Sequence, residues 1–252
     1  MPRKAREKSD TGIYHVMMRG INKQTIFQDE EDNNKFLYQL GDCKKISEFE
    51  LLAYCLMGNH VHLLIKEKKE GLPKIIKRIG TRYVYWYNNK YQRTGHLFQD
   101  RYKSEPVNDI AYLFTVLKYI HQNPVKAGLC KTVSEYRWSS YKDYLSLDGI
   151  TDTGLGLSLF GENIRKSVEP FKKHMNEIDD ACCLDISDSR KIFDAEAKAF
   201  IKTLCENENV NDFRDMGKEK YRKNIAILKE KGLSIRQISR LTGLSFAIVR
   251  KR

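Results

Sequence analysis

An extended, largely apolar run from Ile13 to Met18 reads as a strand, and beyond Asp29 the apolar spacing changes to three and four, which predicts a helix through about Ile46. Strand-like runs follow at Phe49 to Met57 and His60 to Lys66, joined by the tight Gly58-Asn59 turn of a hairpin. A long amphipathic helix is expected from about Leu72 to Tyr91, with Lys74, Lys77, Arg78 and Arg82 set among its aromatics. A further extended run, Leu97 to Val107, precedes a helix that begins near Asp109. That helix is expected to end by Asn123, because a proline disfavours helical geometry in the residue before it and position 124 is Pro. Strand, helix, hairpin, helix, strand, helix is an α+β order, predicting a ferredoxin-like antiparallel sheet with helices on one face.

After Tyr144 the pattern dissolves: LSLDGITDTGLGLSLFGEN is rich in Gly, Ser and Thr and reads as a linker or irregular excursion. From about Phe193 the helical spacing returns. The expected organisation is therefore a first module over residues 1–150, an irregular segment over 151–192 and a small helical module over 193–252. Within the last, LSIRQISRLTGLSFAIVRKR reads as a helix-turn-helix: Ile235, Ile238 and Leu241 on the first helix, a turn at Gly243, then a helix with Leu244 and Val249 against it, ending in Arg250, Lys251 and Arg252.

Composition narrows the partners. With 252 residues, 41% of them hydrophobic, the chain can bury one good core and a second smaller one. A net charge of +12 favours polyanions, since each Lys or Arg placed on a phosphate releases a condensed counterion. The six cysteines form no C-x-x-C pair, so reduced thiols rather than a zinc knuckle are expected. No apolar signal core follows the basic MPRKAREKSD, and nowhere do about 18 apolar residues run together, so the expectation is a cytoplasmic protein without a membrane partner.

The sharpest local signal for chemistry is GNHVHLLI. Strand side chains alternate, so His60 and His62 emerge on one face while Val61, Leu63 and Ile65 point to the other. Two imidazoles so placed are half of a metal platform. Alone, such a triplet is more simply a polar pair on a half-exposed sheet face. On the helix from Asp109, Tyr119 and Asn123 lie four residues apart and share a face, which sets a phenol beside an amide oxygen able to ligate a hard cation. Tyr112, seven residues earlier on that face, is the rival nucleophile. Alone, Tyr119 is equally an amphipathic aromatic and Asn123 a helix-end residue before a proline.

The segments TGIYHVMMRG, GNHVHLL, HLFQDRYKS and YIHQNPVKAGL, in this order, resemble the IS200-type single-strand transposases, and more closely their REP-associated tyrosine transposase branch. The resemblance spans about residues 10 to 145. It implies a metal-dependent enzyme of the His-hydrophobic-His type that nicks and joins single-stranded, hairpin-bearing DNA through a 5′-phosphotyrosine link. Carried over residue by residue, it makes Tyr119 the nucleophile and His60, His62 and Asn123 the holders of Mg²⁺ or Mn²⁺. The insertion-sequence branch typically carries Gln where this chain has Asn123. In the mechanism this implies, a cation such as Lys118 or Lys126 eases loss of the phenol's proton. Because the ester bond energy is kept, no ATP is needed, in accord with the absence of a G-x-x-x-x-G-K-[ST] loop.

For DNA contact the resemblance favours His96, Gln99, Arg101 and Lys103. Arg82 lies in a stretch where basic residues alternate with Tyr83, Tyr85, Trp86, Tyr87 and Tyr91, a mixture suited to phosphates and stacked bases, although helical spacing also sends some of these rings to a core. Arg250 stands in the basic last helix, which adds duplex DNA as a partner of the C-terminal module. The compact insertion-sequence enzymes lack such an extension. Two other readings stay open: a DNA-binding regulator that keeps the fold without activity, and an RNA-binding or RNA-processing protein on a basic ferredoxin-like sheet. Monomer and homodimer are both open, since the Tyr119 helix can complete its own site or a partner's.

Overall fold

The computed structural model describes residues 6–177, 183, 194–204, 218–231, 233 and 235–250. The chain divides into two compact units, Met1–Asp185 and Ile186–Arg252. In the first, β1 (Ile13–Arg19), α1 (Glu30–Ser47), β2 (Glu50–Met57), β3 (His60–Lys66), α2 (Leu72–Lys90) and β4 (Lys103–Pro106) follow the expected order. The four strands form one sheet in the order β2-β3-β1-β4, every neighbouring pair antiparallel.

This is the ferredoxin-like α+β sheet, and its two crossover helices share one face. Phe36 and Leu40 of α1 and Ile75, Ile79 and Tyr83 of α2 pack there against Val16, Tyr54, Leu56, Val61, Leu63 and Ile65. The opposite face is covered too. There α3 (Ile110–Lys126) lays Leu113, Val116, Leu117 and Ile120 on Ile13, Ala53, Cys55, Met57 and Leu64. A sheet buried on both sides wants apolar residues at successive positions, which is why Leu51 to Met57 is an unbroken buried run rather than an alternation. Fully burying each such aliphatic side chain stabilises by roughly 1.5–3 kcal/mol.

Local chemistry sets the helix ends. Asp29 caps α1 in a reciprocal box with Asp32, and the Asp109 carboxylate caps α3 by accepting the Tyr112 backbone N–H. The expected stop of α3 at Asn123 is wrong: the helix runs through Pro124 to Lys126. Proline removes one N–H and crowds one carbonyl, but the following turn recovers bonds from Ala127 N–H to the Asn123 carbonyl and from Leu129 N–H to the Pro124 carbonyl. The Leu97–Val107 run is also shorter as a strand than expected. Only Lys103–Pro106 pairs continuously, after a single bridge between Gly20 and Phe98, because Asp100 takes a left-handed conformation at φ 51° and breaks the extended chain. Pro106 is tolerated on this edge strand.

The segment expected to be a linker is instead part of the first unit. After α4 (Tyr141–Ser146) come α5 (Thr153–Ser158) and α6 (Ile164–Asn176), with Leu157, Phe171 and Met175 buried in the α3 core. Tyr144 stacks on Phe171 with centroids 4.4 Å apart and donates to the Leu52 carbonyl. Gly156 lies so close to the Tyr144 phenol that a Cβ would collide with it. Gly156, one of the glycines that look like linker composition, therefore admits the helix at short range.

In the second unit, α7 (Asp194–Leu204), α8 (Lys218–Glu230), α9 (Ile235–Thr242) and α10 (Phe246–Arg250) share a small core of Ala197, Ile201, Ile225, Leu228, Leu233, Ile238, Leu244 and Val249. Gly243, at φ 70°, makes the turn between α9 and α10. Ile235 and Leu241 lie at the margin of that core. Lys251, Arg252 and the start of the N-terminal PRKAR lie outside the described residues. Among the described residues, no helix is long and apolar enough to cross a membrane, and Cys43, Cys55, Cys130 and Cys183 are free thiols.

Candidate active site

Antiparallel pairing fixes which side chains surround the histidine strand. His62 lies opposite Met17 on β1 and Cys55 on β2, and His60 lies opposite Arg19 and Met57. Flanked on both sides and roofed by α3, His62 is fully buried, whereas His60 stands half-buried at the hairpin end. That end is pinned: the Gly58 carbonyl accepts from the Ile26 and Phe27 N–H groups, the Asn59 carbonyl accepts from Gly20 N–H, and Asn59 Oδ1 lies 2.6 Å from His60 Nδ1. The imidazole centroids of His60 and His62 are 5.0 Å apart.

Helix α3 brings the other two predicted residues to this pair within a single chain. The Tyr119 ring stands edge-on to His62 at 5.7 Å between centroids, and Asn123 Nδ2 lies 3.3 Å from His62 Nε2. The intervening residues hold the helix in register. His121 uses both ring nitrogens, Nδ1 at 2.9 Å from the Leu117 carbonyl and Nε2 at 2.8 Å from Ser140 Oγ. Gln122 donates to the carbonyls of Met175 and Glu177, fastening α3 to the end of α6.

The two phenols on this face have different neighbours. Tyr112 is bonded to Glu105, and burial together with that carboxylate pushes its hydroxyl well above the ordinary tyrosine range. Tyr119 has Lys126, whose Nζ lies 5.5 Å from its ring centroid. Of the two lysines expected to serve the phenol, Lys118 is directed to Glu177, at 3.9 Å.

Burial, reinforced by the neighbouring imidazoles His15 and His60, holds His62 well below its ordinary pKa and therefore neutral. A neutral imidazole keeps the lone pair that a cation needs. Among the described residues no group of three or more His, Cys, Asp and Glu side chains is placed to hold a metal ion, and a cation site here would need the Asn123 carboxamide beside the two imidazoles. His60, His62 and Asn123 supply that donor set, which suits Mg²⁺ poorly through its nitrogens alone but adequately with the amide oxygen and water, and suits Mn²⁺ well.

The structure adds residues that sequence spacing did not single out. His15 on β1 is buried, with Nε2 2.9 Å from His62 Nδ1 and its ring 5.9 Å from that of Tyr119. Arg19 lies beside His60 on the neighbouring strand. Both fall within TGIYHVMMRG and share a strand face by alternation, but nothing in the spacing says which strand lies next to β1.

The predicted DNA-contact residues divide into separate places. His96, Gln99 and Arg101 line a groove of about 740 Å³ between α2 and the segment before β4, together with Arg6, Lys77 and Tyr85. Lys103 pairs across β4 with Met17, on the sheet face of His62. Arg82 faces α1, its guanidinium 3.9 Å from Asp42, and does not line the groove. Arg250 is exposed at the end of α10 in the other unit. Of the interleaved aromatics, Tyr83 and Tyr87 are core residues while Tyr85 is 79% exposed.

Residues 8–123 match the family model described as IS200-like transposase, a span that ends on Asn123 and includes every predicted catalytic side chain. A curated REP-associated tyrosine transposase of Haemophilus influenzae is 27% identical over 104 residues, covering 37% of this chain and 59% of that protein. The match thus spans about three fifths of the relative's length. Among solved structures, a REP-associated tyrosine transposase bound to a REP hairpin matches at TM-score 0.50 and 18% identity, over 61% of this chain and 92% of the other. That likeness is one of fold. A structure from Deinococcus radiodurans described as a transposase matches at TM-score 0.35 and 19% identity, over 48% of this chain and 97% of that one.

Proposed function

We propose that this chain, whose residues 8–123 match the IS200-like transposase model, nicks and rejoins single-stranded DNA beside a hairpin, with Tyr119 as the nucleophile. The observation that carries the reading is the meeting of the Tyr119 ring and the Asn123 amide at His62, 5.7 Å between ring centroids and 3.3 Å from Nδ2 to Nε2. His60, His62 and the Asn123 amide oxygen would hold a divalent cation, Mg²⁺ or Mn²⁺, which would supply Lewis-acid activation of the phosphate.

The chain's own groups do the rest. Tyr119 Oη forms a bond to phosphorus as the bond to the 3′-oxygen breaks; the phenol gives up its proton and the leaving oxygen acquires one. Phenols are mostly protonated at neutral pH, and the Lys126 ammonium beside the ring favours the charge that develops on oxygen. One phosphodiester is exchanged for another, so attack by a second 3′-hydroxyl reverses the step without ATP. Arg19 on β1 and Lys103 on β4, both to one side of the histidine strand on its α3 face, supply positive charge for the strand entering the site. The groove lined by His96, Gln99 and Arg101 takes the flanking DNA, and the α9–α10 hairpin with Arg250 adds duplex affinity.

The test is direct. Single-stranded hairpin oligonucleotides incubated with the protein and Mg²⁺ or Mn²⁺ should give a denaturation-resistant protein–DNA band that disappears with chelator. Tyr119→Phe should abolish the band and leave hairpin binding nearly intact; a persistent adduct would place the nucleophile elsewhere.

A further inference from the structure

A buried histidine that exists to stabilise a fold satisfies both of its ring nitrogens, as His121 does with the Leu117 carbonyl and Ser140 Oγ. His15 does not. It is fully buried, its Nδ1 has no hydrogen-bond partner among the described residues, and its hydrogen bond runs from Nε2 to His62 Nδ1 at 2.9 Å. An apolar side chain at this position would spare the protein a buried, half-satisfied ring. The polar connection that His15 makes is to the most buried member of the site.

We propose that His15 is a positioning residue that fixes the ring orientation and the tautomer of His62, so that His62 Nε2 presents its lone pair toward Asn123 and a bound cation. Only one proton fits between His15 Nε2 and His62 Nδ1. If it sits on His15, a neutral His62 carries its own proton on Nε2 and cannot ligate through that atom. If it sits on His62 Nδ1, Nε2 is bare. Asn123 Nδ2, a donor, lies 3.3 Å from that same Nε2 and fits the second arrangement in the metal-free chain, with Nδ1–H into His15 Nε2; a bound cation would take the Nε2 lone pair and require the amide to turn its oxygen toward the ion. His15 does not itself ligate in this scheme, since its Nε2 accepts from His62 and its Nδ1 then carries the ring's one proton. Partners of this kind to ligand histidines typically carry 10–100-fold in metal affinity. The proposal rests on the reading of His60, His62 and Asn123 as a cation site.

Full-length wild type, His15→Phe, His15→Gln and His62→Ala are to be compared by Mn²⁺ titration followed by electron paramagnetic resonance, by thermal unfolding without metal, and by ¹⁵N imidazole spectra of the metal-free protein. Wild type should show His62 protonated at Nδ1. His15→Phe should still fold, with a Tm lowered no more than one orphaned buried N–H explains, lose the single His62 tautomer and bind Mn²⁺ about 10–100-fold more weakly. His15→Gln, whose side-chain oxygen can accept from His62 Nδ1, should recover most of that loss. Wild-type Mn²⁺ affinity in a folded His15→Phe, equal losses in the Phe and Gln variants, or a wild-type His62 protonated at Nε2 would each overturn the proposal. The two readings fail differently. Mn²⁺ binding that His62→Ala removes and His15→Phe leaves untouched defeats His15 alone; wild type without any Mn²⁺ binding defeats the cation site and His15's part with it.

Discussion

Tyr112 and Tyr119 occupy one face of α3, yet their surroundings select between them. Glu105, opposite His15 across the β1–β4 pairing, bonds the Tyr112 hydroxyl and opposes its ionisation, whereas Tyr119 stands edge-on to His62 and His15 with Lys126 beside its ring. Tyr112→Phe should therefore leave covalent-adduct formation within about threefold of wild type, read in the same denaturing-gel assay; loss of the adduct would return Tyr112 to candidacy. Residue types and spacing singled out His60, His62, Tyr119 and Asn123 as candidates, and the resemblance of the surrounding motifs to the IS200-type transposases gave them roles. They could not reveal His15 or Arg19, because the partner strand of β1 is a non-local fact. Nor could they show that Arg82 turns to Asp42 and α1, since a basic residue on an amphipathic helix reads the same whichever neighbour it meets.

At the scale of elements, the platform under the histidine strand depends on how α1 and α2 are clamped. Lys90, at the end of α2, reaches Asp29, Glu31 and the fully buried Asp32 at the start of α1, and Tyr91 donates to Asp32 as well. Lys90 and the Asp32 backbone N–H hold the Asp29 carboxyl below the ordinary carboxylate range. Lys90→Met should leave Asp32 buried with its backbone and Tyr91 donors but without a cation, and lower stability by about 2 kcal/mol in urea unfolding. No measurable change would mean that those remaining donors hold Asp32 unaided. Element identities were legible where periodicity was strong, as in β3 and α2. They were misread where a single residue was given too much weight: Pro124 does not stop α3, because the packing of Val116 to Ile120 outweighs one lost bond, and Gly156 of α5 serves close approach to Tyr144.

For the molecule as a whole, burial of neutral histidines makes the first unit acid-sensitive. Burial lowers His121 from 6.5 to about 4 and His15 to about 3. The unfolded chain therefore takes up these protons first as pH falls. Stability from this source is complete above about pH 6.5 and is lost progressively between there and the folded-state values. The His121 shift alone corresponds to roughly 3 kcal/mol. Urea midpoints of the metal-free protein should thus fall already between pH 6.5 and 5, above the range in which ordinary carboxylates titrate; a midpoint flat across that interval would contradict the burial argument. The sequence by itself determined the element order as far as α3, the β2–β3 hairpin, the shared strand face of His60 and His62 and the shared helix face of Tyr119 and Asn123, because each follows from periods of two and 3.6 within one segment. Only the tertiary structure decided that these two faces meet, that His15 lies behind His62, and that residues 153–176 belong to the first unit. Those outcomes depend on which strands pair and which helix roofs the sheet, contacts between residues about 50 or more positions apart that no local period encodes.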